Sequence, residues 1–261
     1  MAGFGIALTL MAALALADMP NFAEVRAGWR SSELEVLDRH GEPLQTLRLD
    51  THGRRTDWAP LDAASPALVA AVLHAEDRRF FRHAGVDWLA TGKAALTNLY
   101  RERPRGASTL TMQLAALLDA ELRARGARRG LGEKWRQMQA ARSIEWGWSK
   151  GQVLEAYLNL LPMRGELTGV DATARALFDK RPAGLGASKA LILAALIRSP
   201  NADAEVVARR VCTLAQDYPA PLPNCKRLRR LTLNTLSGRL PILPAADLAP
   251  HLARRLDAAA A

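Results

Sequence analysis

From Ser65 to about residue 216 the chain is a succession of apolar stripes at helical spacing, each closed by a cap or a breaker, and this restricts it to a mainly α architecture. Ser65 suits an N-cap and Pro66 the first helical position, after which Leu68, Val69, Val72 and Leu73 share one face until Glu76. Further helices are predicted at about 87–100, 108–119, 133–148, 150–160, 169–178, 187–198 and 202–216. Ser149 with Gln152 makes a capping box, and Ser199-Pro200-Asn201 stops the strongly apolar run Leu191–Ile197. Ahead of the helices, residues 33–60 read as a small β-hairpin segment: Leu34 and Val36, a turn at Asp38-Arg39-His40-Gly41, then Leu44, Leu47 and Leu49.

With 261 residues, 49% of them hydrophobic, the chain is large enough to bury a proper core and is not a disordered tail. Its net charge of +10 predicts attraction to polyanions: nucleic acid, anionic lipid or a phosphorylated substrate. Of 36 basic residues only 6 are Lys, and Arg favours forked recognition of phosphate oxygens, although an Arg-rich genome would leave the same excess. Residues 2–17 carry no charge and would span about 24 Å as a helix, so residues 1–17 read as a signal peptide or a membrane anchor. Either exports the remainder. Cys212 and Cys225 flank a Pro-rich loop and could pair outside the cytoplasm or remain as two thiols; no ligand-spaced His/Cys cluster points to a structural metal.

Chemistry concentrates in two stretches, Glu76-Asp77-Arg78-Arg79-Phe80-Phe81-Arg82-His83-Ala84-Gly85 and Gly106-Ala107-Ser108-Thr109-Leu110-Thr111-Met112-Gln113. Adjacent carboxylates at the negative end of a helix should ionise less readily, which suits Glu76 to general-base work, whereas three nearby Arg would equally suit a surface ion cluster. The second stretch opens a helix whose first N–H groups could meet an anion. His83 beside Phe80 and Phe81 reads as structural, as do Tyr157 and Asn159. Trp135, Trp146 and Trp148 are expected in the core in preference to an interfacial belt, and the basic run Lys226–Arg230 is expected to be a solvated helix face.

Taken together, these motifs resemble a family. Glu76-Asp77-x-x-Phe80-x-x-His83-x-Gly85 is similar to the first motif of peptidoglycan glycosyltransferases, glycosyltransferase family 51. Gly106-x-Ser108-Thr109-x-Thr111-Met112-Gln113 resembles the second, and Lys150-x-x-x-Leu154-x-x-Tyr157-Leu158-Asn159 the fourth. Gly169-Val170-x-x-Thr173-Ala174 and the helix ending in Ser199-Pro200 resemble later segments, so the likeness covers about residues 33–200. It implies a lysozyme-like helical domain over 61–216, held at the periplasmic face of the cell inner membrane, that polymerises lipid II onto a nascent glycan strand. It also implies Glu76 as the base for the acceptor's 4-hydroxyl, with undecaprenyl diphosphate leaving. Asp77, Gly106, Ser108, Thr109, Gln113, Arg128, Arg129 and Lys134 are the residues expected to bind substrate.

Departures from the pattern carry their own expectations. Gln137 stands at the second-carboxylate position of the third motif, Met112 replaces a glutamine, and Ala116 stands near where a basic residue is usual; this wording resembles penicillin-binding proteins of the 1C type. An amide binds a divalent cation weakly, so no cofactor is expected to be required and a Mg or Mn ion is disfavoured. Neither S-x-x-K nor a K-T-G or K-S-G box occurs in the sequence, and residues 217–261 resemble a linker toward a transpeptidase domain. Partners are then lipid II, the glycan strand, the cytoplasmic membrane and cell-wall synthesis proteins, with no nucleic acid. The competing readings are a lysozyme-like lytic transglycosylase and an inactive membrane-tethered scaffold.

Overall fold

The computed structural model describes residues 19–98, 108–122, 130–237, 248–251 and 255. Among them the chain is mainly helical, with ten α-helices and one two-stranded antiparallel sheet near the start. Its contacts divide it into two compact units. One comprises residues up to Ala27 and Glu76–Tyr157; the other comprises Gly28–Ala75 and the residues from Leu158 onward.

The second of these units contains the hairpin, β1 (Glu33–Leu37) paired with β2 (Pro43–Arg48), with Leu34 opposite Leu47 and Val36 opposite Gln45. The turn forms because the Asp38 Oδ1 accepts from the N–H groups of His40 and Glu42, at 2.7 and 2.9 Å, while Gly41 takes φ +83°. Helix α2 (Pro66–Glu76) begins as its sequence predicts, Ser65 Oγ accepting from Leu68 N at 3.1 Å. The same unit holds α7 (Val170–Phe178), α8 (Ala187–Ile197), α9 (Ala204–Ala215) and α10 (Cys225–Leu236). Every residue of α8 from Ala190 to Ile197 is buried, which explains a helix without a polar face. Asn159 straps Ala59 by accepting from its N–H and donating to its carbonyl, at 2.9 and 2.8 Å. Gly169, at φ +83°, leaves no room for a side chain, because a Cβ would stand 2.8 Å from the Asn159 carbonyl oxygen.

Two features tie the start of the C-terminal segment to the helix before it. Cys212 on α9 and Cys225 at the first turn of α10 form a disulfide. Asn224 caps α10 by accepting from Arg227 N at 3.0 Å, and the helix buries Leu228, Thr232 and Leu236. Lys226, Arg227, Arg229 and Arg230 lie exposed on it, as a solvated basic face requires.

The other unit holds α1 (Phe22–Gly28, apart from its last residue), α3 (Trp88–Asn98), α4 (Leu110–Leu118) and α5 (Leu131–Gly147), together with most of α6 (Lys150–Leu160). Val86, Met112, Met138 and Ala141 form one core cluster within it. Gly85 packs against the α5 backbone; at φ +83° a Cβ there would come within 2.5 Å of the Ala141 oxygen. The tryptophans split. Trp148 is buried edge-on against Phe22 and donates to the Pro20 carbonyl at 3.2 Å, whereas Trp135 and Trp146 are exposed, contrary to a core role for all three. Amphipathic spacing on a long helix does not tell a core edge from a bare apolar side chain.

Candidate functional site

The site is built where α2 ends and α4 begins, wholly within the first unit. Of the first-motif residues, only Glu76 stays half-exposed with its carboxylate beside the start of α4. Its neighbours are used internally. Asp77 is buried, and its Oδ2 accepts from Leu110 N at 3.0 Å while both oxygens meet His83 Nε2 at 3.0 and 3.1 Å. Phe80 lies in the core, with the Lys150 ammonium 4.2 Å from its ring centroid. Lys150 also donates to the His83 carbonyl at 2.7 Å and to Glu145 at 2.6 Å, and Glu145 accepts from Thr111 at 2.6 Å. Asp77, assigned above to substrate, is therefore bonded to the scaffold, and its two acceptors close off Leu110 N and His83.

This changes the picture of the α4 amino end. Leu110 N is taken by Asp77, and Met112 N donates to Thr109 Oγ1 at 3.2 Å. Two of the first three helical N–H groups are thus bonded within the protein, so this terminus is not the open anion cradle expected from its sequence. Thr109 is buried as the N-cap and donates to the Gly85 carbonyl. The cation at this end is instead a side chain: Lys134 on α5 donates through Nζ to Ser108 Oγ at 2.5 Å.

Glu76 is held from α4. Gln113 Nε2 donates to Glu76 Oε2 at 2.9 Å, and the Gln113 Oε1 accepts from the Tyr157 hydroxyl on α6 at 2.9 Å. Donation to a carboxylate favours its charged form, a push opposite to the one expected from the helix dipole. Tyr157 has no exposed surface, and burial, with the charges of Glu76 and Asp77 adding to it, pushes its hydroxyl well above the ordinary tyrosine range. It is therefore a neutral donor. Gln113, which holds Glu76, lies about 6 Å along the helix axis from the Thr109 cap, and Ser108, which holds Lys134, immediately precedes that cap, so both contacts are made near the same end of one short helix.

Gln137 is buried, and its Nε2 donates to the Met112 carbonyl at 2.6 Å. A carboxylate cannot make that bond, so the amide at the second-carboxylate position has a physical use in this chain. Met112, where a glutamine would be more usual, is part of the core. Gln137 is turned to a carbonyl and Asp77 to His83 and Leu110, and among the described residues no three His, Cys, Asp or Glu side chains are grouped so that they could hold a metal ion. Gly106, Arg128 and Arg129 lie outside the described residues. Sequence reasoning missed two participants, Glu145 and the bridging role of Tyr157. The available signal for the second was a tyrosine on the buried stripe of a helix, because a buried hydroxyl requires a polar partner.

Comparison with known proteins follows the same residues. A protein-family model described as Transglycosylase matches residues 40–218. A biosynthetic peptidoglycan transglycosylase of Rhodospirillum centenum is 41% identical over 167 residues, covering 62% of this chain and 68% of that protein. Penicillin-binding protein 1C of Escherichia coli K12 is 38% identical over 167 residues, 64% of this chain but 21% of the relative. A biosynthetic peptidoglycan transglycosylase of Aeromonas hydrophila is 39% identical over 144 residues, 55% of this chain and 59% of the relative.

Proposed function

Because the chain belongs to the transglycosylase family and is by that membership a peptidoglycan glycosyltransferase, we propose that it polymerises lipid II into β-1,4 glycan, with Glu76 as the general base. In this reading Glu76 removes the proton from the acceptor's 4-hydroxyl. That oxygen bonds to the anomeric carbon of the growing chain with inversion, the bond from that carbon to the diphosphate oxygen breaks, and undecaprenyl diphosphate leaves as an anion. No acid is needed for such a leaving group, so a single base suffices.

The observation that carries the proposal is the pairing of a half-exposed carboxylate held by Gln113 with a lysine held by Ser108 at the same end of α4. Lys134 is the residue placed to meet negative charge developing on the diphosphate. The reaction as proposed uses no cofactor. A lipid-linked substrate and a membrane location are supported by the exposed apolar side chains Phe81, Trp88, Leu89 and Leu96, which fall close together in sequence, and by the uncharged run over residues 2–17. The Cys212–Cys225 disulfide suits an oxidising compartment, here the periplasmic face of the inner membrane. Among the described residues no helix is long and apolar enough to cross a membrane.

Incubating the full chain with labelled lipid II in detergent and resolving products by size tests the proposal. Polymer is the expected product. Shortening of added glycan without polymer would mean a lytic enzyme, and neither product would mean a scaffold.

A further inference from the structure

We propose that Tyr157 is a positioning residue for the catalytic base: by donating its hydroxyl proton to Gln113 it fixes which end of that amide meets Glu76. The inference rests on Glu76 being the base. A glutamine amide has a donor end and an acceptor end of nearly the same shape, so an unconstrained Gln113 could present either. Glu76 accepts from its nitrogen at 2.9 Å, and Tyr157 donates to its oxygen at 2.9 Å.

Burial decides the direction of the second bond. Tyr157 has no exposed surface, and the Gln113 oxygen is the partner of its hydroxyl. If the amide turned over, the hydroxyl would accept from the amide nitrogen, and its own proton would lie buried without an acceptor. Retaining that proton as a donor keeps the NH2 group on Glu76, both when the carboxylate is charged and after it has taken a proton from the acceptor sugar. The ring is anchored on α6, the amide on α4 and the carboxylate at the end of α2, so one hydroxyl links three helices to the orientation of the base. Because the Tyr157 hydroxyl is pushed well above its ordinary range, this relay stays protonated at every pH at which the enzyme would be assayed. Gln137 supports it from behind by holding the carbonyl of Met112, the residue before Gln113.

The test is Tyr157→Phe in the full chain, with lipid II turnover measured from about pH 5 to pH 9. Loss of the locked donor should lower kcat roughly tenfold at neutral pH with KM within about twofold, and should move the acid limb of the kcat profile upward by about half a unit or more. Gln113→Leu should move the limb in the same direction, and adding Tyr157→Phe to it should cost little more, because the two act through one contact. Should Tyr157→Phe fail to fold, Tyr157→Met, which also removes the hydroxyl while filling the buried site with a flexible side chain, decides by the same shift of the limb. A fall in kcat with an unmoved limb, or full additivity of the two substitutions, would overturn the proposal by making Tyr157 only structural. Failure of the base assignment looks different: Glu76→Gln would then polymerise normally while the wild type shows the same limb.

Discussion

Replacing Asp77 by Asn separates a scaffold residue from a substrate-binding one, because the two roles give opposite signatures. The buried carboxylate accepts from Leu110 N at 3.0 Å and from His83 Nε2 at 3.0 and 3.1 Å. An amide must turn its NH2 toward one of these donors, so one bond to a buried charged acceptor, worth about 1.5–3 kcal/mol, becomes a donor facing a donor. His83 can relieve this by moving its proton to Nδ1, but that buried nitrogen has no hydrogen-bond partner. Losing the cap-like bond at the start of α4 instead costs about 1 kcal/mol. The net loss should therefore be about 1–3 kcal/mol, which for a chain of this length lowers the melting temperature by roughly 3–10 °C. Circular dichroism melts of wild type and variant, with KM for lipid II measured well below both transitions, make the comparison. A melting temperature unchanged within about 2 °C together with a several-fold rise in KM would refute the argument and return Asp77 to the substrate.

Gln137→Glu should remove the bond to the Met112 carbonyl and set a carboxylate against it, costing about 1–3 kcal/mol at neutral pH. Since burial beside a carbonyl raises the folded-state pKa of the introduced acid, the penalty should be absent below about pH 4 and grow as pH rises through the unfolded value toward the folded one. Urea unfolding across pH reads this out, and a variant as stable as wild type at high pH but faster in turnover would show that the position wants a carboxylate. Opening the Cys212–Cys225 link, which closes a sequence separation of 13, should cost about 3 kcal/mol by loop entropy. Denaturation with and without reductant measures it, and coincident curves would mean that the link contributes nothing to stability.

The helical body was legible because local signals and packing agreed. Ser65-Pro66 and Ser149 with Gln152 name their helix starts, and the observed caps use those atoms. Helix α1 was not read, and of α10 only the basic run Lys226–Arg230 was read as a helix face. The first is a single short segment with no buried residue, so it offers no apolar stripe to read, whereas the second does carry buried positions at helical spacing, Leu228, Thr232 and Leu236, behind its basic run. At the site, sequence singles out Glu76 and Lys134 but not their supports, since hydrogen bonds such as Tyr157 to Gln113 join residues 44 apart and depend on how helices meet. The same limit explains Asp77 and Thr109. A motif shows that a polar residue belongs at a place, not whether it faces a ligand or the protein.

The most direct measurement is lipid II polymerisation by Glu76→Gln, at matched folding verified by melting. The substitution keeps the shape beside Gln113 and removes the proton acceptor, so kcat/KM should fall by about a thousandfold or more with no loss of fold. A well-folded Glu76→Gln enzyme that still makes glycan at near wild-type rate would contradict the account.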